Sequence, residues 1–201
     1  AQANPLEAID YALAQHQGTV DGNLLNSALS LYAGTNPIEA KRLLLENQAH
    51  VEYPAISSLI DSFFNRGQFP EAYELLDTLT DKQAIEAVAV NTASKIHSFG
   101  SEKVTEFIAV IKDPALKVKA VSAATTSMSA AGYPVETVLA VMDTGLRSVA
   151  PTEKAFGYAW TLKNGYKDDP QSMASYLNRL RFNDKALADE VEKILDHLKD
   201  S

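Results

Sequence analysis

The chain contains no cysteine, and this absence removes several kinds of chemistry at once. Disulfide bridges, thiolate metal sites and cysteine nucleophiles are all excluded. The 201 residues also contain no apolar run near the ~18 residues that a membrane-spanning helix requires. With 46% hydrophobic and 22% charged residues, the composition is that of a protein with a buried core.

Motifs of catalysis and cofactor binding are missing as well. The sequence has no glycine-rich phosphate loop, no dinucleotide-binding glycine pattern and no serine nucleophile elbow. Its four histidines lie far apart, without a second ligand at the spacing that a helical metal site needs: His16, His50, His97 and His197. We therefore predict a non-enzymatic protein without a metal or cofactor.

The excess of acidic side chains narrows the choice of partners. There are 26 acidic and 18 basic side chains, and the formal net charge is -8. A surface of this sign repels phosphate backbones, so a protein or peptide partner is favoured over nucleic acid. The sequence does not determine the cellular compartment, because it suits a soluble protein of the cytoplasm as well as one exported after cleavage of a signal peptide.

An internal repeat is the strongest pattern in the sequence. A proline or other helix-starting residue is followed three positions later by a small or apolar residue and then by an apolar pair. This pattern recurs at intervals of 32 to 36 residues, starting at Pro5, Pro37, Phe69, Ser101, Pro134 and Pro170. A period of this length is typical of helical hairpins that stack on one another, because one hairpin cannot bury its apolar face alone.

Helix start and stop signals fall between the repeats. Capping residues or prolines mark the predicted helix starts: Asn4, Asp21, Asn36, Pro54, Asp81, Asp113, Pro134, Pro151, Asp169 and Asp184. Glycines mark predicted ends: Gly18, Gly34, Gly67, Gly100, Gly132, Gly145 and Gly165. We predict an all-α fold in which about six antiparallel hairpins form a short superhelical α-solenoid. No linker divides it, so residues 1–201 are predicted to be one domain.

One segment carries a family resemblance. The sequence PAISSLIDSFFNRGQFPEAYELLDTL, from Pro54 to Leu79, resembles a tetratricopeptide or pentatricopeptide repeat. The resemblance rests on residues at the positions those repeats favour: Leu59, Phe63, Gly67, Phe69, Ala72 and Leu76. Weaker copies begin at Leu24 and Ala123. The resemblance implies a scaffold whose concave surface, formed by the first helix of each repeat, holds a peptide or a partner helix.

The same resemblance implies a set of partner-binding residues. Carried onto this sequence, the concave positions are Ser57, Asp61, Phe64, Asn65, Leu29, Tyr32, Thr126 and Ser129. Phe64 and Tyr32 would supply apolar contacts, and the polar side chains would orient the partner through hydrogen bonds.

Two further stretches invite structural predictions. Phe156, Tyr158, Trp160 and Tyr166 form an aromatic cluster, and the four-residue spacing of Phe156 and Trp160 places both on one helical face. We predict that this cluster packs in the core. The last segment carries an apolar stripe, which predicts a helix that covers the end of the array: Leu187, Val191, Ile194, Leu195 and Leu198.

The sequence thus predicts a scaffold or adaptor for a protein or peptide. Three alternatives remain open at this point. They are a single-stranded RNA-binding protein of the pentatricopeptide kind, an accessory helical domain of a larger protein, and a self-assembling structural array. The oligomeric state follows from none of the patterns.

Overall fold

The computed structural model describes residues 4–14 and 21–199, and the fold of this part is entirely helical. It has no β-strand, so the all-α prediction is confirmed. Twelve α-helices occupy the described residues: α1 (Pro5–Leu13), α2 (Gly22–Thr35), α3 (Pro37–Glu46), α4 (Tyr53–Asn65), α5 (Phe69–Thr78), α6 (Lys82–Ile96), α7 (Ser101–Val110), α8 (Pro114–Ala130), α9 (Val135–Gly145), α10 (Pro151–Gly165), α11 (Pro170–Asn183) and α12 (Lys185–Lys199).

The sequence repeat corresponds to an alternation of helices. Five of the six repeat starts are the first residues of odd-numbered helices, and the remaining one, Pro134, directly precedes α9. The first five odd-numbered helices have 9 to 11 residues, whereas the even-numbered helices have 13 to 17. Shorter helices therefore alternate with longer ones from α1 to α10.

Local capping chemistry explains where many of the helices begin. Side chains of seven predicted caps accept a hydrogen bond from a backbone N–H of the first turn: Asn4, Asp21, Asn36, Asp81, Asp113, Asp169 and Asp184. These bonds satisfy N–H groups that have no partner within the helix. The predicted end of the first helix at Gly18 and the side chain of His16 lie outside the described residues.

Several predicted stops also have the expected backbone geometry. Gly67, Gly100 and Gly132 adopt φ angles of 70°, 102° and 78°. Residues with a Cβ rarely adopt this conformation, and glycine does so at little cost. These three glycines follow the ends of α4, α6 and α8, where the chain must turn back.

The chain divides into two compact units, unit 1 (Ala1–Val88) and unit 2 (Ala89–Ser201). In unit 1, α2 packs against α1, α3 and α4. Part of this core is formed by buried residues of α1, α2 and α4, including Ile9, Leu25 and Ala55. The single-domain prediction for residues 1–201 stays a prediction.

In unit 2, the long helix α10 packs against both α8 and α12. The contact between α8 and α10 is close. Thr125 and Thr161 share a buried hydrogen bond of 2.8 Å between their hydroxyl oxygens. A Cβ placed on Gly165 would lie 2.8 Å from Ser129 Cβ, so only glycine fits there without movement of α8.

The final helix packs through its predicted stripe. Leu187, Val191 and Leu195 are buried, and Ile194 and Leu198 are half-buried. Their helix α12 contacts α10 and α11. This face of α12 therefore covers neighbouring helices of unit 2, and the prediction that it covers the end of an array stays a prediction.

Candidate protein-binding surface

Two of the predicted binding residues belong to the core instead. Leu29 is 2% exposed and Phe64 is 4% exposed, so neither side chain can contact a partner in this structure. The ring of Phe64 lies against Phe69 at a centroid distance of 5.3 Å, and Leu29 packs into the core of unit 1. Leu29 and Phe64 are therefore core residues, and their predicted role in partner binding is wrong. The physical reason is helical register, since Leu31, two positions beyond Leu29, is the exposed leucine of α2.

The other predicted residues remain at least partly accessible. On α4, Ser57 and Asp61 are half-buried and Asn65 is exposed, and their four-residue spacing places them on one face. Tyr32 is half-buried, and its hydroxyl accepts a hydrogen bond of 3.4 Å from Asn36 Nδ2. These four residues lie in unit 1 and stay candidates for contact with a partner.

Thr126 and Ser129 lie on α8 in unit 2 and are half-buried. The Ser129 hydroxyl donates to the carbonyl of Thr125 at 2.8 Å, which ties it to its own helix. The Thr126 hydroxyl oxygen is buried and has no hydrogen-bond partner in the structure. The polar atoms of this pair are therefore turned toward the protein rather than toward solvent.

A pair of stacked aromatic rings lies on the surface of α10. Phe156 is 44% exposed and Trp160 is 41% exposed. Their ring centroids are 6.0 Å apart, and the planes are inclined by 28°. The two rings together present apolar surface to solvent. Trp160 is the only tryptophan of the chain.

The position of this aromatic pair follows from the packing of α10. Tyr158 and Leu162 on one side of the helix are buried. Another side, with Gly157 and Thr161, lies close to α8. A third side faces α12, where Lys163 Nζ donates to the carbonyl of Leu198 at 2.6 Å. Because α10 has neighbours on these sides, Phe156 and Trp160 occupy the side that remains open.

The predicted core location of Phe156 and Trp160 is therefore wrong. Their spacing correctly placed them on one face, but spacing alone does not say which face is buried. A further signal was present in the sequence: Gly157, Thr161 and Gly165 recur at four-residue intervals. Small residues at this spacing allow a close approach between helices, and they would have identified the packed side of α10.

The two tyrosines of the cluster are buried as predicted. Tyr158 is in edge contact with Tyr176, with ring centroids 6.1 Å apart, and Tyr166 packs on Tyr176 from 5.9 Å. The Tyr158 hydroxyl donates to a carboxylate oxygen of Asp143. Burial, together with this carboxylate, raises the pKa of Tyr158, so the phenol stays protonated and continues to donate.

Polar residues border the aromatic pair. Glu153 and Asn164 are exposed on the same side of α10, each one turn from the nearer ring. An apolar centre with a polar border resembles the composition of protein interfaces, where aromatic residues contribute most of the binding energy.

Other kinds of site find no support in the described residues. In residues 4–14 and 21–199, no group of three or more histidines and carboxylates is arranged to hold a metal ion. Within the same ranges, none of the helices combines the length and apolar character needed for a bilayer crossing. Comparison with protein-family models, with curated proteins and with solved structures finds no significant match for this chain.

Proposed function

We propose that this chain is a non-enzymatic helical-repeat scaffold that binds a segment of a partner protein on the open sides of its longer helices. In this proposal the repeats stack as about six hairpins in a superhelix. The supporting observations are the alternation of shorter and longer helices and the packing of α2 on α4 and of α8 and α12 on α10. Such arrays usually act by holding other molecules.

The observation that carries the proposal is the exposed pair of Phe156 and Trp160. Large aromatic side chains usually contribute apolar area to the core, and an exposed, stacked pair leaves much of that area in water. A partner that covers about half of the exposed ring surface would gain about 2 kcal/mol from this contact. Ser57, Asp61 and Asn65 remain proposed polar contacts in unit 1, and Tyr32 a proposed apolar one.

We expect the double variant Phe156→Ala/Trp160→Ala to bind a partner segment about thirtyfold more weakly than the unaltered chain. The segment would be selected on the immobilised chain from a displayed library of peptides encoded by the source genome. The dissociation constants of the selected peptides for both proteins would then be measured by isothermal titration calorimetry.

The matched control is Phe182→Ala, which removes an aromatic ring that is 91% exposed on α11. It should leave the affinity within about twofold, because loss of a ring outside the interface removes no contact. Trp160 offers a second readout, since it alone accounts for the tryptophan fluorescence. Binding should shift its emission to shorter wavelength. Peptides that bind the double variant as tightly as the unaltered chain would refute the proposed anchor.

A further inference from the structure

The net charge of the chain is concentrated in one of the two compact units. Unit 1 contains 12 of the 26 acidic side chains but only 4 of the 18 basic ones, which gives it a formal charge of -8. In unit 2, 14 acidic and 14 basic side chains cancel. Unit 1 therefore produces a strong negative potential on its own.

Three of the four basic residues in unit 1 are already engaged by groups of the same unit. Arg42 pairs with Glu39 and Glu46, at 2.6 Å in each case. Lys41 Nζ lies 2.8 Å from a carboxylate oxygen of Glu74. Arg66 donates to the carbonyl of Gly34 at 2.7 Å. Unit 1 therefore carries eight more acidic than basic side chains, and three of its four cations already have bonding partners.

A groove of about 680 Å³ lies within this acidic unit. One wall is the segment that leads into α4, and the other is the segment that leads into α6. Glu52 and Asp81 line the groove, and none of its described lining residues is cationic. The remaining lining residues are uncharged and include Tyr53, Ala84 and Ala87.

The two walls are held together by the side chain of Gln48. Its Nε2 donates to the carbonyl of Thr78 at 3.1 Å. Its Oε1 accepts from both the backbone N–H and the hydroxyl of Thr80, each at 3.1 Å. Because both ends of this amide are bonded across the groove, its width is set before any partner arrives, and binding needs little ordering of the walls.

We propose that this groove binds an arginine- or lysine-bearing segment of the partner protein. The inference deepens the proposed function and rests on it. The carboxylates of Glu52 and Asp81 would pair with the cationic head, while Tyr53, Ala84 and Ala87 offer apolar surface to the aliphatic stem. Asp81 Oδ1 accepts from the N–H of Ala84 at 2.7 Å, and the second carboxylate oxygen is left for the partner.

The chemistry of the groove favours a protein segment over other occupants. A nucleic acid would bring its phosphates toward a unit of charge -8, which is unfavourable. A single metal ion would leave most of the volume unfilled, and the alanine and valine side chains offer it no ligands. A basic segment combines positive charge with apolar stems and matches both features.

The test uses a fluorescein-labelled peptide in which arginine alternates with alanine, and a counterpart with glutamate in place of arginine. Binding to the full chain is followed by fluorescence anisotropy. We expect the arginine peptide to bind and the glutamate peptide not to bind. The affinity for the arginine peptide should fall as the salt concentration is raised. In Glu52→Gln/Asp81→Asn the affinity should drop about tenfold. Asparagine also caps helices well, so α6 is preserved at its start.

The matched control is Glu7→Gln/Asp10→Asn, which removes the same two charges from exposed positions on α1 of the same unit. It should change the affinity by no more than about twofold. An equal loss of affinity for the arginine peptide in both double variants would mean that only net charge matters. It would refute the groove as the binding site. Equal binding of the glutamate peptide would overturn it too.

The two proposals can fail separately. In one outcome, the genome-encoded peptides need Phe156 and Trp160, but neutral substitutions at Glu52 and Asp81 weaken the binding of no peptide. This result would support the scaffold proposal and refute the groove as a binding site. In the other outcome, the arginine peptide needs Glu52 and Asp81, but loss of Phe156 and Trp160 weakens the binding of no genome-encoded peptide. This result would support the groove as a site for a basic segment and refute the aromatic pair as an anchor.

Discussion

Replacing Phe63 by alanine should lower the free energy of unfolding by about 4 kcal/mol. Phe63 lies on α4 and is fully buried, with 0% of its surface exposed. Its removal would take away apolar surface that is buried on folding and would leave a space that the surrounding helices close only in part. A change of this size is a large share of the stability of a typical domain.

The matched control for this prediction is again Phe182→Ala, which removes the same side chain from a position that is 91% exposed. Its effect should stay within about 0.5 kcal/mol. Urea unfolding followed by far-ultraviolet circular dichroism measures both variants, because every described element is helical. Similar midpoints for the two variants would contradict the packing of α4 described above.

Replacing Gly165 by valine should lower the free energy of unfolding by about 3 kcal/mol. A Cβ at this position would lie 2.8 Å from Ser129 Cβ and 2.9 Å from Ser129 Oγ. Real Cβ atoms do not approach so closely, so α8 or α10 would have to move. Movement of either helix would disturb the buried hydrogen bond between Thr125 and Thr161.

Gly34→Val is the matched control, since Gly34 is a glycine within α2 whose added Cβ would meet no atom within 4 Å. Valine there should be neutral or slightly stabilising, because it has a higher helix propensity than glycine. Trp160 lies on the same helix as Gly165, so tryptophan fluorescence follows the unfolding of unit 2, while far-ultraviolet circular dichroism follows the control in unit 1. A valine at Gly165 that unfolds at the same urea concentration as the unaltered chain would refute the close contact of α8 with α10.

The helices could be predicted well because their signals are local. Asp21 and Asp113, for example, each bond to an N–H three residues ahead, so the start of a helix depends on neighbouring residues alone. The same holds for Gly67 and Gly132, whose positive φ angles are set at the turn itself. Errors at the helix ends were therefore limited to a few residues.

The binding residues were predicted less well because exposure is not a local property. Leu29 and Leu31 are both apolar residues of α2, yet one is buried and the other is 67% exposed. Phe156 and Trp160 were assigned to the core for the same reason, since a shared face says nothing about which neighbours cover it. Their exposure depends on where α8 and α12 lie against α10.

The boundary between the compact units was invisible for a different reason. It falls between Val88 and Ala89, inside α6, where no proline, glycine or polar linker interrupts the chain. The total charge of -8 was plain from composition, but its concentration in residues 1–88 was not. The groove beside Glu52 and Asp81 could not be foreseen either, because 29 positions of sequence separate its two walls at those residues.

The amino-acid sequence by itself determined the helical class, the repeat and most of the helix starts, since capping, turns and apolar periodicity act over a few residues. Only the tertiary structure decided that Phe156 and Trp160 stay on the surface while Tyr158 is buried, and that the carboxylates of Glu52 and Asp81 line one groove. The physical reason is that burial and the sharing of a groove depend on packing between helices, and the residues that make these contacts are distant along the chain.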